Sequence, residues 1–423
     1  MNLNELLKGK KGCICGRDHS CFVKTAVIEK GALLKLPDLT REHKNVLVAA
    51  DKNTFGVCGG RVLELLISKN VSLCIFDSEK QFLVPDEKAI DTLMHYVKED
   101  TDLIIGIGSG VINDLCKYVS FKKELPYFIV ATAPSMDGFV SNVAAMIIKG
   151  MKVTYQAHVP QAVIGDVDIL KMAPMDMIKS GYGDIIGKLS SLNDWKLGHL
   201  LYDEYFCSYI YDLLMGAVNK TVGLSKGLKE RSEDSIKALM ETLVLSGIAI
   251  SYNGNSRPAS GSEHHLSHYF EIVSLQKNEP YFLHGTDVAY STVVTAAMRE
   301  ELKAFNNAPG SLAKLDRAEW IKSIREIYKD AGEGVIALQD EMGRYTKDEL
   351  SLYRKHWDEI IATLSLVPSA DEFIKMISTV GLSMDEFYSL YGKEKIEKGK
   401  WFAKDLKDRF TFLWIYWKVL YKG

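Results

Sequence analysis

The sequence lacks an excess of charge of either sign. Its 423 residues contain 52 lysines and arginines against 55 aspartates and glutamates, which gives a net charge of −3 with histidine neutral. Such a chain has no large basic field to hold a nucleic acid backbone or an anionic membrane surface. We therefore expect no nucleic acid partner, and a small molecule is the expected ligand.

Cysteines are few and follow no framework. The seven cysteines form an odd, scattered set, which argues against a network of disulfides and for a reducing compartment. The first residues also lack the apolar core and the small-residue cleavage site of a secretion signal. Both absences predict a cytoplasmic protein.

We also expect no membrane span. The strongly apolar segment near the end, Phe410–Trp417, has roughly a third to a half of the ~20 residues that a membrane span requires. We predict that this segment forms a terminal helix packed on the protein body. An interfacial anchor stays open as an alternative because basic residues flank the segment. They are Lys404, Lys407, Arg409 and Lys418.

The length of the chain and a change of pattern near residue 166 predict two domains. From about residue 44 to 165, short apolar runs alternate with helical stretches and glycine turns, which is typical of parallel strands with crossover helices. Long amphipathic segments dominate afterwards. We predict an α/β nucleotide-binding domain with a parallel sheet at 1–166 and an all-α metal-binding and substrate domain at 167–423. The predicted strands are Asn45–Ala50, Val71–Phe76, Leu103–Ile105 and Tyr127–Thr132.

One predicted strand, Leu103–Ile105, continues into residues 106–110, Gly-Ile-Gly-Ser-Gly. Small residues at this position let a backbone approach a diphosphate closely, and the first amides of the next helix would receive the anion. If a G-x-G-x-x-G motif began at residue 108, Asn113 would stand in place of its third glycine. A simple tight turn between strand and helix therefore stays open as an alternative.

Polar residues also follow two other strands. Asp51 comes directly after the first strand, where a carboxylate can hydrogen-bond ribose hydroxyls and repel a 2′-phosphate, which favours NAD over NADP. The alternative is a helix cap before Asn53. Asp137 and Ser135 lie in the loop after Tyr127–Thr132, where ligands gather in open α/β sheets. Asp137 is also a common turn former before glycine.

A carboxylate and several imidazoles lie in the second half of the chain. Asp184 precedes a histidine-rich stretch with His264 and His268, and an isolated His284 follows. One carboxylate and two imidazoles suit Zn²⁺ or another borderline divalent ion, and three protein ligands leave a position for a substrate oxygen. A helix would place His264 and His268 on one face, so the histidine that does not bind metal is a candidate proton carrier.

A second set of metal-type side chains lies near the start, in Cys13-x-Cys15-Gly-x-x-His19-x-Cys21. A single residue separates the first two cysteines, instead of the usual two to four, and no second ligand pair follows at finger-like distance. We therefore favour ordinary strand or turn cysteines over a zinc site here.

Several segments form a pattern that extends from about residue 13 to 415. They are Asp51–Thr54, residues 106–110 with Asn113, Asp114 and Lys117, Thr132–Gly138 with Ser141, Gly181–Asp184 with Lys188, Ser256–His264, and His284 with Gly285. Together they resemble sn-glycerol-1-phosphate dehydrogenases, which share a superfamily with glycerol dehydrogenase, iron-containing alcohol dehydrogenases and dehydroquinate synthase. The stretch Ser256–His264 is the most specific part, because it resembles the branch that acts on a phosphorylated substrate.

The resemblance implies a dehydroquinate synthase-like fold and roles for several of the matching residues. The metal ligands would be Asp184, His264 and His284; the cofactor would lie against Asp51, Gly108, Ser109, Gly110, Asp114, Thr132, Ser135 and Ser141; and Asp137 and His268 would act on the substrate.

The implied reaction is the NAD(P)H-linked reduction of dihydroxyacetone phosphate to sn-glycerol 1-phosphate, a step of phospholipid biosynthesis, in a homodimer or larger homo-oligomer. One divalent metal, Zn, Ni or Fe, would polarise the carbonyl, and His268 or a water relay would protonate the alkoxide. Arg257 is the predicted phosphate ligand, together with Lys188, because a guanidinium binds phosphate through two parallel hydrogen bonds.

Three alternatives stay open. A glycerol dehydrogenase would act on the unphosphorylated polyol with the same metal and cofactor. A cyclase of the dehydroquinate synthase type would use NAD only transiently. A binding or regulatory protein on the same scaffold would lack turnover.

Overall fold

The computed structural model describes residues 2–77, 83–148, 151–305 and 307–422. The chain forms two compact units: the first comprises Met1–Gly181 and Asn219–Asn255, and the second comprises Tyr182–Val218 and Ser256–Gly423. The boundary predicted after residue 166 lies at the end of the last strand, and as a domain boundary it stays a prediction.

A six-stranded sheet forms the centre of the first unit, and all its paired strands are parallel. Its order is β1-β8-β5-β4-β2-β3, and β6 and β7 form a separate antiparallel hairpin. The strands are β1 (Thr25–Glu29), β2 (Asn45–Asp51), β3 (Asn70–Phe76), β4 (Leu103–Gly108), β5 (Tyr127–Ala131), β6 (Val143–Ile148), β7 (Met151–Gln156) and β8 (Ala162–Asp166).

The strand residues explain the sheet. Every residue of β4, β5 and β8 is buried, as expected for parallel strands covered on both faces, and their sequences are correspondingly almost continuous apolar runs. The four strands predicted from such runs are confirmed. The sequence analysis did not predict β1, β8 or the hairpin. β1 is a half-buried edge strand, β8 is a short buried run of five residues, and the hairpin lies outside the main sheet.

The α-helices of the described residues are numbered in chain order. They are α1 (Leu3–Leu7), α2 (Leu36–Leu39), α3 (Lys52–Leu65), α4 (Glu87–Tyr96), α5 (Gly110–Lys122), α6 (Val167–Leu170), α7 (Met175–Tyr202), α8 (Ser208–Gly223), α9 (Lys226–Lys229), α10 (Glu233–Asn253), α11 (Ser262–Lys277), α12 (His284–Lys303), α13 (Arg317–Tyr328), α14 (Gly332–Met342), α15 (Leu350–Lys355), α16 (Trp357–Leu364), α17 (Ala370–Thr379), α18 (Met384–Phe402) and α19 (Phe412–Leu420). Short 3₁₀ helices occupy Ala32–Lys35, Gly138–Val140, Lys329–Ala331 and Ala403–Leu406.

The order of the sheet reverses beside β2. The chain passes from β2 to β3 on one side and then crosses to β4 on the other, so a topological switch point lies between β2 and β4. In open α/β sheets, ligands bind beyond the carboxyl ends of the strands at this point. Asp51 ends β2 and Gly108 ends β4, which brings two predicted cofactor residues to the switch point.

The glycines of residues 106–110 have a packing role as well. The strand β4 is longer than predicted and includes both Gly106 and Gly108. A Cβ atom on Gly108 would lie 2.6 Å from Cβ of Ile112, and one on Gly106 would lie 2.9 Å from Sγ of Cys116. These two glycines therefore let α5 pack closely on its own strand.

Among the described residues, one helix is long and apolar enough to cross a membrane. It is α10, and 89% of its most apolar window is buried in the protein. Within the first unit, α10 packs against β1 and α1. Burial of this kind is typical of a core helix.

Nearly all described residues of the second unit are in helices and their connections. Its last helix, α19, is buried from Phe412 to Lys418, and the backbone amide of Phe412 donates a 3.0 Å hydrogen bond to Oδ1 of Asp194. The predicted packed terminal helix is confirmed. The alternative of an interfacial anchor is wrong, because Lys404 and Lys418 are themselves buried in ion pairs with Asp405 and Glu349.

Candidate metal centre and nucleotide-binding edge

Three helices of the second unit bring one carboxylate and two imidazoles together. Asp184 lies on α7, His264 on α11 and His284 at the first position of α12. Their ligand atoms all lie within 4.8 Å of one another, and Asp184 and His264 are buried. Ligand atoms about 2 Å from a shared Zn²⁺ lie roughly 3–4 Å apart. The three side chains predicted as ligands therefore fit one divalent ion with little movement.

Glu263 holds one of these imidazoles in a defined orientation. Nδ1 of His264 lies 2.7 Å from Oε1 of Glu263, and Nε2 of the same ring lies 3.6 Å from Oδ1 of Asp184. An ionised carboxylate can only accept hydrogen bonds, so Nδ1 of His264 carries the proton. Nε2 therefore has a free lone pair that can bind a metal ion. Burial raises the pKa of Glu263, but the hydrogen bond with His264 and the backbone amide of Gly261 outweigh it and hold the pKa below its ordinary value.

Lys188 lies one helical turn after Asp184 and neutralises it. Its ammonium donates to Oδ1 of Asp184 at 2.6 Å and to the carbonyl of Ala259 at 2.9 Å, and both charged side chains are fully buried. Burial raises the pKa of Asp184, yet the charge of Lys188 and the interaction with His264 hold that pKa well below its ordinary value. Asp184 is therefore an ionised carboxylate available to a cation.

His268 lies next to the same cluster. Its ring centroid is 6.0 Å from that of His264 and 5.5 Å from that of His284. Ligand atoms of His268, Glu271 and His284 also lie within 4.8 Å of one another. His284 thus belongs to two overlapping groups, and His268 lies next to the three predicted ligands.

The third histidine of the stretch, His265, lies in a basic environment. It is fully buried, and its pKa lies well below its ordinary value because of burial first and then the charges of Lys407, Arg409 and Arg257. Arg409 donates to the carbonyl of Ser260 at 2.7 Å. Cations from the end of the chain therefore gather around the segment Ser256–His264.

Arg257, the predicted phosphate ligand, is engaged by a carboxylate. Its Nε and NH2 atoms donate to the two carboxylate oxygens of Glu204 at 2.6 and 2.5 Å, and the Arg257 side chain is buried. Two parallel hydrogen bonds of this kind are the strongest way in which an arginine binds a carboxylate. A phosphate would have to share the guanidinium with Glu204.

The predicted diphosphate residues lie at the carboxyl end of β4 in the first unit. Ser109 precedes Gly110, the first residue of the 13-residue helix α5, and its hydroxyl hydrogen-bonds that of Ser135. The amide of Thr132 donates to the carbonyl of Gly108 at 3.0 Å. A Cβ atom on Gly110 would meet nothing closer than Cε of Met136 at 3.9 Å. There is room at the start of α5 for a ligand that the helix amides would attract.

A buried lysine organises the loop beside these residues. Nζ of Lys117 donates to the carbonyls of Gly138 and Val143 and to the hydroxyl of Ser141, each at 2.9 Å, and to Oδ1 of Asp114 at 3.1 Å. Asp114 and Ser141, both predicted to contact the cofactor, are thus held by one ammonium.

Two aspartates with predicted roles make local hydrogen bonds. Asp51 caps α3: its Oδ1 accepts from the amide of Thr54 at 2.9 Å, and Thr54 Oγ1 accepts from the amide of Asp51. The capping alternative is therefore confirmed, and ribose binding by Asp51 stays a prediction. Oδ2 of Asp137 accepts from the hydroxyl of Ser246, on α10, at 2.8 Å.

Sequence reasoning missed several residues around these sites. Glu263 could have been found from its position directly before His264, because metal-bound histidines regularly pair with carboxylates. Lys117 matched the resemblance, but nothing in the sequence indicated that its ammonium is buried. Glu204 and Arg409 lie far from their partners in sequence and carried no signal.

Comparison with known proteins agrees with this arrangement. A family profile described as iron-containing alcohol dehydrogenase matches residues 27–174. A glycerol-1-phosphate dehydrogenase [NAD(P)+] from Halalkalibacterium halodurans is 35% identical over 306 residues, which cover 70% of this chain and 77% of that protein. One from Methanosarcina barkeri is 32% identical over 365 residues, covering 84% and 95%.

A solved structure gives the same fold. The glycerol dehydrogenase from Schizosaccharomyces pombe superposes with a TM-score of 0.55 at 15% sequence identity, covering 92% of this chain and 93% of that one. The sequence relatives, together with the fold, show that this chain belongs to the glycerol-1-phosphate dehydrogenase family of the iron-containing alcohol dehydrogenase superfamily.

Proposed function

We propose that this protein is a metal-dependent glycerol-1-phosphate dehydrogenase that reduces dihydroxyacetone phosphate to sn-glycerol 1-phosphate with NADH or NADPH. The observation that carries the proposal is the cluster of Asp184, His264 and His284, whose ligand atoms lie within 4.8 Å of one another. The names of its relatives support the same activity and both nicotinamide cofactors. Such an enzyme works in the cytoplasm, where reduced nicotinamides are available.

Asp184, His264 and His284 would hold one divalent ion. When bound there, the ion supplies Lewis-acid polarisation of the substrate carbonyl. The donor set of one carboxylate and two imidazoles accepts zinc, nickel or iron, so metal availability in the cell decides among them. Glu263 fixes the ring of His264 in the orientation that presents Nε2.

The carboxyl edge of β2 and β4 would bind the dinucleotide. In this assignment the amides that begin α5, with Gly108, Ser109 and Gly110, receive the diphosphate. Thr132 and Ser135 approach the nicotinamide end. Asp114 and Ser141 line the same edge, where Lys117 holds both of them by hydrogen bonds. Asp51 accepts a ribose hydroxyl and favours NADH.

Two side chains would handle the proton and the substrate hydroxyl. His268 lies beside His264 and His284, and a protonated imidazole there can give its proton to the developing alkoxide, become neutral and take up a new proton from solvent. Asp137 contacts the substrate in this assignment, and its hydrogen bond from Ser246 sets the orientation of its carboxylate.

The phosphate of the substrate would meet the cations of the Ser256–His264 segment. Arg257 is the first candidate, with Lys188. Both are paired with carboxylates, Arg257 with Glu204 and Lys188 with Asp184. Arg409 lies against the same segment and is a further candidate.

An absorbance assay of nicotinamide oxidation tests the proposal. The full chain is loaded with Zn²⁺, Ni²⁺ or Fe²⁺ in turn and given dihydroxyacetone phosphate with NADH or NADPH, and the product is resolved by chiral chromatography. We expect turnover that a chelator abolishes, and sn-glycerol 1-phosphate as product. Equal turnover of unphosphorylated dihydroxyacetone would instead support a glycerol dehydrogenase. No oxidation with any of the three metals would refute the assignment.

A further inference from the structure

The segment from Gly9 to His19 folds into a closed loop in the first unit. Lys10 and His19 form a β-bridge, with backbone hydrogen bonds of 2.9 and 2.8 Å in the two directions. The amide of Gly12 donates to Oδ1 of Asp18 at 2.7 Å. Gly9, with φ of +83°, turns the chain before the bridge, and a Cβ there would lie 2.5 Å from the carbonyl oxygen of His19. The loop is therefore fixed at its base by its own backbone.

The closed loop brings two thiols and an imidazole together. The ligand atoms of Cys13, Cys15 and His19 lie within 4.8 Å of one another, and Sγ of Cys15 is 3.4 Å from Nε2 of His19. Cys13 and His19 are buried, with 6% and 3% of their surfaces exposed. The amide of Gly16 closes a turn onto the carbonyl of Cys13 at 2.9 Å. The spacing of one residue between the cysteines is thus compatible with converging thiols, because Gly16, with φ of +81°, bends the chain directly after Cys15.

The second nitrogen of His19 has the partner that a metal-binding histidine requires. Nδ1 lies 3.0 Å from the carbonyl oxygen of Tyr252, and the two rings stack with centroids 5.3 Å apart. A carbonyl only accepts, so Nδ1 carries the proton and Nε2 presents its lone pair toward Cys15. Metal-ligating histidines regularly donate their other N–H to a carbonyl or carboxylate, which fixes the ring orientation.

We propose that Cys13, Cys15 and His19 bind a thiophilic divalent cation, in the cell Zn²⁺, at a structural site separate from the dehydrogenase metal. Zn²⁺ accepts thiolate and imidazole in tetrahedral geometry. Binding replaces the two thiol protons, which are released to solvent, and involves no redox step. A fourth donor completes the tetrahedron. The ion fastens the N-terminal loop to α10 through His19 and Tyr252 and contributes to stability rather than turnover.

Cobalt substitution separates the two metal sites within one protein. Thiolate-bound Co²⁺ has intense near-ultraviolet charge-transfer absorption, whereas the site of Asp184, His264 and His284 contains no sulfur. The full chain is purified under reducing conditions, freed of metal and reloaded with Co²⁺. We expect a thiolate band in the wild type and in Asp184→Asn, and its loss in the double variant Cys13→Ser/Cys15→Ser. The double variant should also hold one equivalent less zinc by elemental analysis.

Controls keep the outcomes distinct. Cys21→Ser removes a thiol of the same segment that is not in the cluster, and it should retain the band. Single serine substitutions of the remaining cysteines identify a fourth sulfur ligand, if sulfur fills that position. The double variant should keep its dehydrogenase turnover but unfold at a lower temperature. If that variant does not fold, X-ray absorption at the zinc edge of the wild type decides, since sulfur neighbours are required. A wild-type protein without a thiolate band and without sulfur neighbours would overturn the proposal.

Discussion

Lys188 donates a 2.6 Å hydrogen bond to Oδ1 of Asp184, and both side chains are fully buried one helical turn apart. The ammonium lies where it balances the carboxylate when no cation is bound. A buried carboxylate without a partner is strongly destabilising, by about 3–5 kcal/mol. The pair therefore allows this helix to fold before the metal arrives.

Replacing Lys188 by Met should make folding depend on the metal. We expect the metal-free variant to lose about 3–5 kcal/mol of unfolding free energy, and added metal to restore most of it, because the cation then neutralises Asp184. Urea unfolding with chelator and with saturating metal measures both values. Lys179→Met is the matched control, since Lys179 pairs on the same helix with the largely exposed Asp176 and should cost at most about 1 kcal/mol. An equal loss with and without metal would contradict the prediction.

Glu263→Gln should weaken metal binding without abolishing it. The carboxylate of Glu263 accepts from Nδ1 of His264 at 2.7 Å, and loss of such a partner typically lowers metal affinity by about 10–100-fold. Chelator competition measures the affinity. At saturating metal the turnover should recover most of its wild-type value, because Glu263 acts through His264. Unchanged affinity would show that the ring is oriented by other contacts.

The sequence alone predicted those parts of the fold that depend on a local pattern of residues. The apolar runs of β2, β4 and β5 predicted a parallel sheet, and Asp184, His264 and His284 were chosen as a group that the structure brings together. Their roles as ligands stay predictions.

Contacts between distant segments could not be predicted. The sequence offers no reason to expect that Lys117 is buried, because a lysine on a helix is normally solvated. Its burial is tolerable because Asp114, Ser141 and the carbonyls of Gly138 and Val143 all accept from its ammonium. The inclusion of Asn219–Asn255 in the first unit likewise depends on tertiary contacts.

Gly108→Ala and Gly110→Ala should separate packing from ligand binding. A Cβ on Gly108 would meet Cβ of Ile112 at 2.6 Å, whereas one on Gly110 would meet only Met136 at 3.9 Å. We expect Gly108→Ala to cost about 1–3 kcal/mol of unfolding free energy, as overpacking usually does. Gly110→Ala should leave stability nearly unchanged and weaken NAD(P)H binding, because the methyl group enters the space where the diphosphate is proposed to lie. Calorimetric titration with NADH and thermal unfolding measure the two effects. Normal cofactor affinity in Gly110→Ala would contradict a diphosphate at this helix start.

Because of His158, the unfolding free energy of the first unit should decrease in mild acid. Burial lowers the pKa of this imidazole from 6.5, and its Nε2 lies 2.8 Å from the hydroxyl of Ser120. The unfolded chain therefore binds a proton more readily than the folded one, so this contribution is complete above pH 6.5 and decreases as the pH falls below that value. His158→Gln should flatten the change in urea midpoint between about pH 8 and about pH 5.5. A variant with the wild-type pH dependence would assign the acid sensitivity to other groups.

Substitution of Arg257 tests which cation recognises the substrate phosphate. Arg257→Met removes the partner of Glu204 and also a possible phosphate ligand, so stability alone cannot distinguish these roles. Glu204→Gln is the matched variant, because it breaks the same ion pair and keeps the guanidinium. If Arg257 binds the phosphate, Arg257→Met should raise KM for dihydroxyacetone phosphate roughly 10–100-fold, the equivalent of a lost charged hydrogen bond of about 1.5–3 kcal/mol. Glu204→Gln should leave KM unchanged or lower it, since the guanidinium no longer has to be shared.

Similar KM values in both variants would show that Arg257 is only a structural partner of Glu204. Arg409→Met would then be the variant expected to raise KM, because Arg409 donates to Ser256 and Ser260 of the same segment.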